Sequence, residues 1–189
     1  MPDHSTQGPH PLAAALIARY RDAGLEGPVL EVASGVGRNT RALTEAGIRV
    51  VATRDEESYT QLPGGRNAYA AALSTHGYLH GSTDKLRAGF ADLRRVLRPG
   101  APIFVTLGSI KDARFGFGLA LDERTYAPGD GPEKGVPHAY FDRETIADVL
   151  RGYAIESLDE RGVDTVVGRW AHAPAETGLW HWFVIATRS

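Results

Sequence analysis

Two histidines that follow a short apolar run are the residues of this chain best suited to proton transfer. His76 and His80 lie in "STHGYLHG", directly after "YAAALS" (69–74), which reads as a strand. Histidine changes its charge near neutral pH and often serves as a general base. Their spacing of four could also suit a metal ion on a helix, which is the alternative to proton transfer. We expect no metal, His76 as the base, and His80 as a residue that caps or packs at a turn.

A glycine-rich turn between an apolar run and a helix is the second chemical feature. In "VLEVASGVGRNT" the turn carries Gly35 and Gly37, follows a strand with Glu31 at its end, and precedes a helix that starts near Arg38. Glycine permits a tight turn and close approach of a ligand to the backbone. The first helical turn adds free N–H groups and the positive end of the helix dipole. The pattern alone fits a ligand site and a simple packing turn equally well.

Charged and aromatic residues later in the chain could contact a substrate. In "GSIKDARFGFG", Lys111 and Arg114 could hold a carboxylate or phosphate, although an Asp112–Arg114 pair in a solvated loop explains the pattern equally well. In "GVPHAYFD", His138 and Tyr140 directly precede a helix, where a hydrophobic staple is the alternative role for the tyrosine.

Alternating strand and helix signals predict the elements that position these residues. Strands alternating with helices indicate a parallel sheet whose ligand crevice lies at the carboxyl ends of the strands. Two strands close in sequence near the end indicate an antiparallel edge. The segment 108–139 shows no clear period, so we expect a lid or a substrate-facing loop there. The predicted strands are 28–33, 48–53, 69–74, 102–107, 155–159 and 179–187, and the predicted helices are 11–24, 38–46, 83–97 and 142–150.

Composition narrows the class of protein. The 189 residues, 42% of them hydrophobic, suit one domain over residues 11–189 after a disordered lead-in, residues 1–10. A net charge of -2 without a basic run argues against a nucleic-acid partner or an anionic membrane surface. The lack of a long apolar run argues against a membrane span. With 0 Cys there is no disulfide framework or cysteine nucleophile, and we expect a cytoplasmic protein.

Several of these stretches resemble class I S-adenosylmethionine-dependent methyltransferases. "VLEVASGVGRNTRALTEAGIRVVAT" resembles the opening of that family, and "YAAALSTHGYLHG" is similar to its fourth-strand motif. "LRRVLRPGAPIFVTLGS" resembles its helix and fifth strand, while "GVPHAYFDRETIADVL" and "GLWHWFVIAT" resemble the end of a branch that acts on small molecules. The resemblance implies a three-layer, Rossmann-like α/β sheet and methyl transfer from S-adenosylmethionine to a small molecule.

The resemblance also implies roles for individual residues. Family residues that match Glu31, Ala33, Gly35 and Gly37 line the methionine and ribose side of the cofactor. Residues that match the stretch Ser74 to His76 lie at the edge where the methyl group is transferred.

The chain departs from the family pattern on the ribose and adenine side. The family's ribose-binding acid lies roughly 17 residues after the last loop glycine, which here is Arg54, and arginine accepts no hydrogen bond. Asp55 is the substitute candidate, although in an extended strand it faces the other way unless a bulge re-aims it. The chain between Asp55 and "YAAALS" is too short for the usual helix and third strand. We therefore expect a sheet without that edge strand and a trimmed cofactor site.

Two functions follow from these observations. The first is a small-molecule methyltransferase with a trimmed adenine and ribose site, in which His76 is the base. The second is a repurposed fold that no longer methylates. It could be a cofactor-independent enzyme for ring closure or rearrangement of a small metabolite, or a non-catalytic partner subunit. A homodimer or a heterodimer is compatible with either.

Overall fold

A computed structural model describes residues 8–54, 59–131, 133–163 and 178–189 of the chain. The helices are α1 (Pro11–Asp22), α2 (Arg38–Glu45), α3 (Thr83–Val96) and α4 (Arg143–Val149), and a 3-10 turn spans Gly77–Leu79. The strands are β1 (Val29–Glu31), β2 (Val50–Ala52), β3 (Ala71–Ser74), β4 (Pro102–Ser109), β5 (Leu119–Ala120), β6 (Thr125–Ala127), β7 (His138–Phe141), β8 (Tyr153–Gly162) and β9 (Trp180–Arg188).

The central sheet confirms the predicted Rossmann-like architecture. Strands β2, β1, β3 and β4 lie side by side in parallel, β9 runs antiparallel to β4, and β8 pairs antiparallel with β9. Among the described residues β2 pairs only with β1, so the sheet lacks the third strand of the family there, as the short connection predicts. Glu31 is in register with Ala52 and Leu73, which brings the carboxyl ends of three strands together.

Helices cover both faces of the sheet, which gives the predicted three layers. Side chains alternate along β4, so Phe104 faces α1 and α2 while Ile103 and Val105 face the opposite layer. The first layer buries Leu16 of α1 and Leu43 of α2 against the sheet. The second layer is the larger one; its buried residues include Leu86, Phe90 and Leu93 of α3, Ile146 of α4, and Trp182 and Val184 of β9.

Side-chain caps fix where the helices begin. Ser82 Oγ accepts a hydrogen bond from the Lys85 amide, as the sequence predicts, and Asp142 forms a capping box with Thr145 at the start of α4. His10 caps α1 by accepting from the Leu12 amide through Nδ1, and it is only 1% exposed. His10 therefore packs and hydrogen-bonds as part of the folded domain.

The segment 108–139 is not a structureless loop. It contains β5 and β6, which pair antiparallel, and β6 pairs with β7. Strand β7 in turn joins the end of β4 in parallel at Gly108 and Ser109. These strands are too short to produce a hydrophobic period, which is why the sequence pattern missed them. None of the described helices is long and apolar enough to cross a membrane.

Candidate functional site

The glycine-rich turn joins β1 to α2 at the carboxyl edge of the sheet. Ala33, Gly35 and Gly37 have φ angles of 55°, 54° and 76°, in the left-handed region that favours glycine. A Cβ atom built on Gly35 would meet no atom within 4 Å, so the backbone faces open space there. Gly37 is the N-cap of α2 and supplies no side-chain cap, so the first helical N–H groups can bind a ligand.

A buried polar network lies beneath this turn. Glu31 is 1% exposed and accepts hydrogen bonds from Asn39 Nδ2, at 3.2 Å, and from Thr40 Oγ1. Burial raises the pKa of the Glu31 carboxyl, and the hydrogen bonds from Thr40 and Asn39 oppose that shift. Asn39 also donates to Thr75 Oγ1, at 3.1 Å, and accepts from the His10 amide, at 2.8 Å. The network thus connects β1, α2, the end of β3 and the start of α1.

Three histidines gather beside the network. The ring centroid of His76 lies 6.1 Å from that of His10 and 6.1 Å from that of His181 on β9. His76 is half-buried, whereas His10 and His181 are 1% and 2% exposed. His76 is therefore the member of this trio that a substrate can reach most easily. The other two were not predicted, because no local pattern links the start of α1 or the start of β9 to the end of β3.

The remaining residues with a predicted cofactor role occupy different environments. Ser74 is 1% exposed and donates from Oγ to the Val32 carbonyl, at 3.0 Å, so its side chain bonds the neighbouring strand. Thr53, at the end of β2, accepts from the Ala33 amide through Oγ1, at 3.0 Å, and so holds the glycine turn. Arg54 is exposed, and Asp55 lies outside the described residues.

The two sides of the glycine turn differ in the described part of the chain. Towards α2, the open turn lies above a buried carboxylate, Glu31. Towards β2, the described residues include no further strand, and the chain from Tyr59 leads into the core. Tyr59 is 0% exposed and donates through its hydroxyl to the Gly77 carbonyl, at 3.0 Å.

A second cluster of polar side chains contains three of the four predicted substrate residues. Glu133 Oε2 lies 3.1 Å from His138 Nε2 and 3.4 Å from Arg114 Nη1, and Glu133 Oε1 lies 3.4 Å from His80 Nε2. The contacts with His138 and His80 hold the pKa of Glu133 well below its usual range. Tyr140 lies close by, and burial raises its pKa to about 12. Glu133 was not predicted as a site residue, because the segment 108–139 has no hydrophobic period that would indicate where its residues lie in the fold.

Lys111, the fourth predicted substrate residue, lies apart from this cluster. Its ammonium pairs with Glu160 of β8 and lies 5.3 Å from the ring centroid of Trp180. Arg114, by contrast, is held by Asp112, whose fully buried carboxylate accepts from Arg114 Nε and from the Trp180 amide, both at 3.0 Å. The Asp112–Arg114 pairing that the sequence left open is therefore present.

Comparison with known proteins shows the fold and leaves the activity open. No protein-family model and no curated sequence matches the chain. Among solved structures, an S-adenosylmethionine-dependent methyltransferase from Methanosarcina mazei is similar, with a TM-score of 0.67, 12% identity, and coverage of 96% of this chain and 98% of that one. The 1,6-didemethyltoxoflavin-N1-methyltransferase of Burkholderia thailandensis, solved with S-adenosylhomocysteine, has a TM-score of 0.68, 20% identity, and coverage of 95% and 77%. The cyclase SpnF is also similar, with a TM-score of 0.55, 16% identity, and coverage of 93% and 80%.

Proposed function

We propose that the chain transfers a methyl group from S-adenosylmethionine to a small molecule, because it has the fold of the class I S-adenosylmethionine-dependent methyltransferases. The observation that carries the proposal is the glycine turn. Its left-handed residues leave the backbone open at Gly35, at the strand edge where α/β sheets bind ligands. Other glycines, such as Gly24, also face open space, but Gly35 lies at the carboxyl edge of the sheet, beside the first turn of α2.

The turn and its surroundings would hold the methionine portion of the cofactor. The N–H groups in the first turn of α2 suit the cofactor's carboxylate, because a helix N-terminus binds anions. Glu31, at the end of β1, suits the ammonium group, and Asn39 and Thr40 fix the orientation of its carboxylate. S-adenosylmethionine, when bound, supplies a methyl group that is reactive because it is attached to a sulfonium.

His76 would then act on the methyl acceptor. Methyl transfer is an in-line displacement, so the protein contributes mainly alignment of the two reacting atoms. An acceptor O–H or N–H must also lose its proton, and the imidazole of His76 is the half-buried base at this edge. The buried rings of His10 and His181 on either side suit a small molecule better than a protein surface.

A second candidate function is a repurposed fold that no longer methylates. The observations in its favour are the exposed Arg54 at the family's ribose position and the absence of a strand beyond β2 in the described chain. One solved neighbour is a cyclase, and another is described by the conversion of a disulfide into a thioacetal in echinomycin biosynthesis. In this second proposal the chain is a cofactor-independent enzyme or a non-catalytic partner subunit.

Titration calorimetry separates the two candidates. S-adenosylhomocysteine and S-adenosylmethionine are titrated into the full chain, and the methyltransferase proposal predicts saturable heat with one site per chain. No heat at high ligand concentration would overturn it in favour of a repurposed fold. The elution mass then tests the predicted homodimer or heterodimer, and turnover by a lone monomer would exclude the partner-subunit role.

A further inference from the structure

We propose that His80, Glu133 and His138 form a binding site for a divalent transition-metal ion, for which Zn²⁺ is the test ion. The donor atoms of these three side chains all lie within 4.8 Å of one another. Two imidazoles and one carboxylate are a donor set that suits zinc and its neighbours in the first transition row better than Mg²⁺. The site is separate from the glycine turn, and its existence does not depend on methyl transfer.

The backbone holds the two histidines together independently of any metal. His80 and His138 form an isolated antiparallel bridge, and the Gly81 amide donates to the Pro137 carbonyl, at 2.7 Å. This pairing sets the two rings at 90° to each other, with their centroids 4.8 Å apart. Both Nε2 atoms consequently point towards the same carboxylate, that of Glu133.

Glu133 reaches the histidines from a tight loop between β6 and β7. The Gly135 amide donates to the Pro128 carbonyl and the Val136 amide to the Glu133 carbonyl, at 2.8 and 2.9 Å. The loop therefore places the carboxylate opposite the two rings by its own backbone bonds.

The distances match those of a metal site. Two ligand atoms at zinc bond lengths and a tetrahedral angle lie about 3.4 Å apart. The Nε2 atoms of His80 and His138 lie 3.4 and 3.1 Å from the two oxygens of Glu133. Side-chain shifts of roughly 1 Å would bring all three donor atoms around one ion.

The hydrogen bonding of His138 prepares its Nε2 atom to be a ligand. Its Nδ1 lies 2.8 Å from the Val136 carbonyl oxygen, which can only accept, so Nδ1 carries the proton. When the ring is neutral, Nε2 therefore carries the lone pair that a metal ion can bind. A backbone carbonyl on the second ring nitrogen is common in metal-binding histidines. At 3% exposed, His138 has little freedom to turn away.

The surrounding charges also favour a cation. Arg114 contacts Glu133 Oε2 at 3.4 Å, and the buried carboxylate of Asp112 pairs with the same guanidinium. Two carboxylates outnumber one guanidinium, so the group is net negative when both imidazoles are neutral. Arg114 can therefore hold Glu133 in position without cancelling the attraction for a metal ion.

Three protein ligands leave one coordination position open. The side chains of Glu133 and His80 are 44% and 21% exposed, so solvent reaches the site. Sites with three protein ligands and an open position bind water or a substrate oxygen. The sequence predicts no metal here, because the carboxylate of Glu133 is brought to the two histidines only by the fold.

Calorimetry with Zn²⁺ tests the proposal on untagged, EDTA-treated full-length protein. We expect one Zn²⁺ per chain, and binding weakened on the order of 100-fold or more by Glu133→Gln and by His138→Gln, since even loss of an outer partner costs 10–100-fold. His76→Gln is the matched control, because His76 belongs to the other group of neighbouring histidines. It should bind Zn²⁺ like the unmodified chain.

Two results would overturn the proposal: unchanged Zn²⁺ affinity in Glu133→Gln, or loss of binding in His76→Gln. Glu133 lies on an exposed loop, so its variant stays informative even if His138→Gln fails to fold. Circular dichroism of each variant without metal checks that the fold is intact. An ion pair between protonated histidines and Glu133, without a metal, predicts no Zn²⁺ binding by the unmodified chain, which is also a refutation.

Discussion

A pair of glycine substitutions separates ligand binding at the glycine turn from simple backbone strain. Gly35 and Gly24 have nearly the same left-handed φ, 54° and 59°, and a Cβ atom on either would meet nothing within 4 Å. Gly35→Ala and Gly24→Ala therefore carry the same backbone penalty and cause no clash. They differ in location: Gly35 lies at the carboxyl edge, whereas Gly24 lies at the amino edge of the sheet, in a hollow with Arg98 and Pro99.

The structure sets the size of both effects. A left-handed conformation costs a residue with a Cβ atom about 1–2 kcal/mol. In a chain of this length each kcal/mol lowers the melting temperature by roughly 2–4 °C, so each variant should lose about 2–8 °C. In Gly35→Ala the new methyl group also occupies the space assigned to the cofactor. Overpacking of about 1–3 kcal/mol there weakens binding by roughly 5- to 150-fold.

Thermal melting and calorimetry with S-adenosylhomocysteine measure the two effects separately. The expected result is a similar loss of melting temperature in both variants, with weakened binding only in Gly35→Ala. Equal affinity in the two variants at equal stability would refute the assignment of the glycine turn. Weakened binding in Gly24→Ala as well would show that strain, and not contact, controls the affinity.

Three further predictions concern single side chains. His76→Gln should lower kcat by roughly 10²- to 10⁴-fold with little change in S-adenosylhomocysteine affinity, and unchanged turnover would exclude His76 as the base. Asp142→Ala should cost about 1 kcal/mol of unfolding free energy at pH 7, because Asp142 caps α4. The bond from the Thr145 amide lowers the pKa of Asp142 to about 2, so this stabilisation is present above pH ~4 and is lost as the pH falls towards 2. Urea unfolding of the unmodified chain and of Asp142→Ala at several pH values should show that their difference in unfolding free energy shrinks as the pH falls from ~4 towards 2. A difference that stays constant over this range would contradict the prediction. Asp112→Asn should lower the unfolding free energy by roughly 1.5–3 kcal/mol in the same assay, because it weakens the charged hydrogen bonds between a buried carboxylate and Arg114. An unchanged unfolding free energy would mean that the pair does not stabilise the fold.

Local patterns were enough to predict the sheet and its glycine turn. The glycines of the turn and the N-cap Ser82 interact only with residues close to them in sequence. Their roles can therefore be predicted from the local sequence. Counting the residues after Asp55 was enough to predict that the described sheet has no strand beyond β2, because a strand and a helix need a minimum length of chain.

The contacts between distant segments could not be predicted. Glu133 meets His80 and His138 only because β7 joins the end of β4 and a bridge aligns the two histidines. Lys111 was placed with the substrate residues from its position after β4, but the pairing of β8 with β9 brings Glu160 within reach of it. Such strand pairings cannot be predicted from the composition or from the hydrophobic period of the sequence.

A crystal structure of the chain with S-adenosylhomocysteine is the most direct test of cofactor binding at the glycine turn. We expect the homocysteine portion to lie against Gly35 and Gly37, near the Glu31 carboxylate, with its sulfur directed towards His76. S-adenosylhomocysteine bound anywhere else on the chain, or a glycine turn left empty at a saturating concentration, would contradict it.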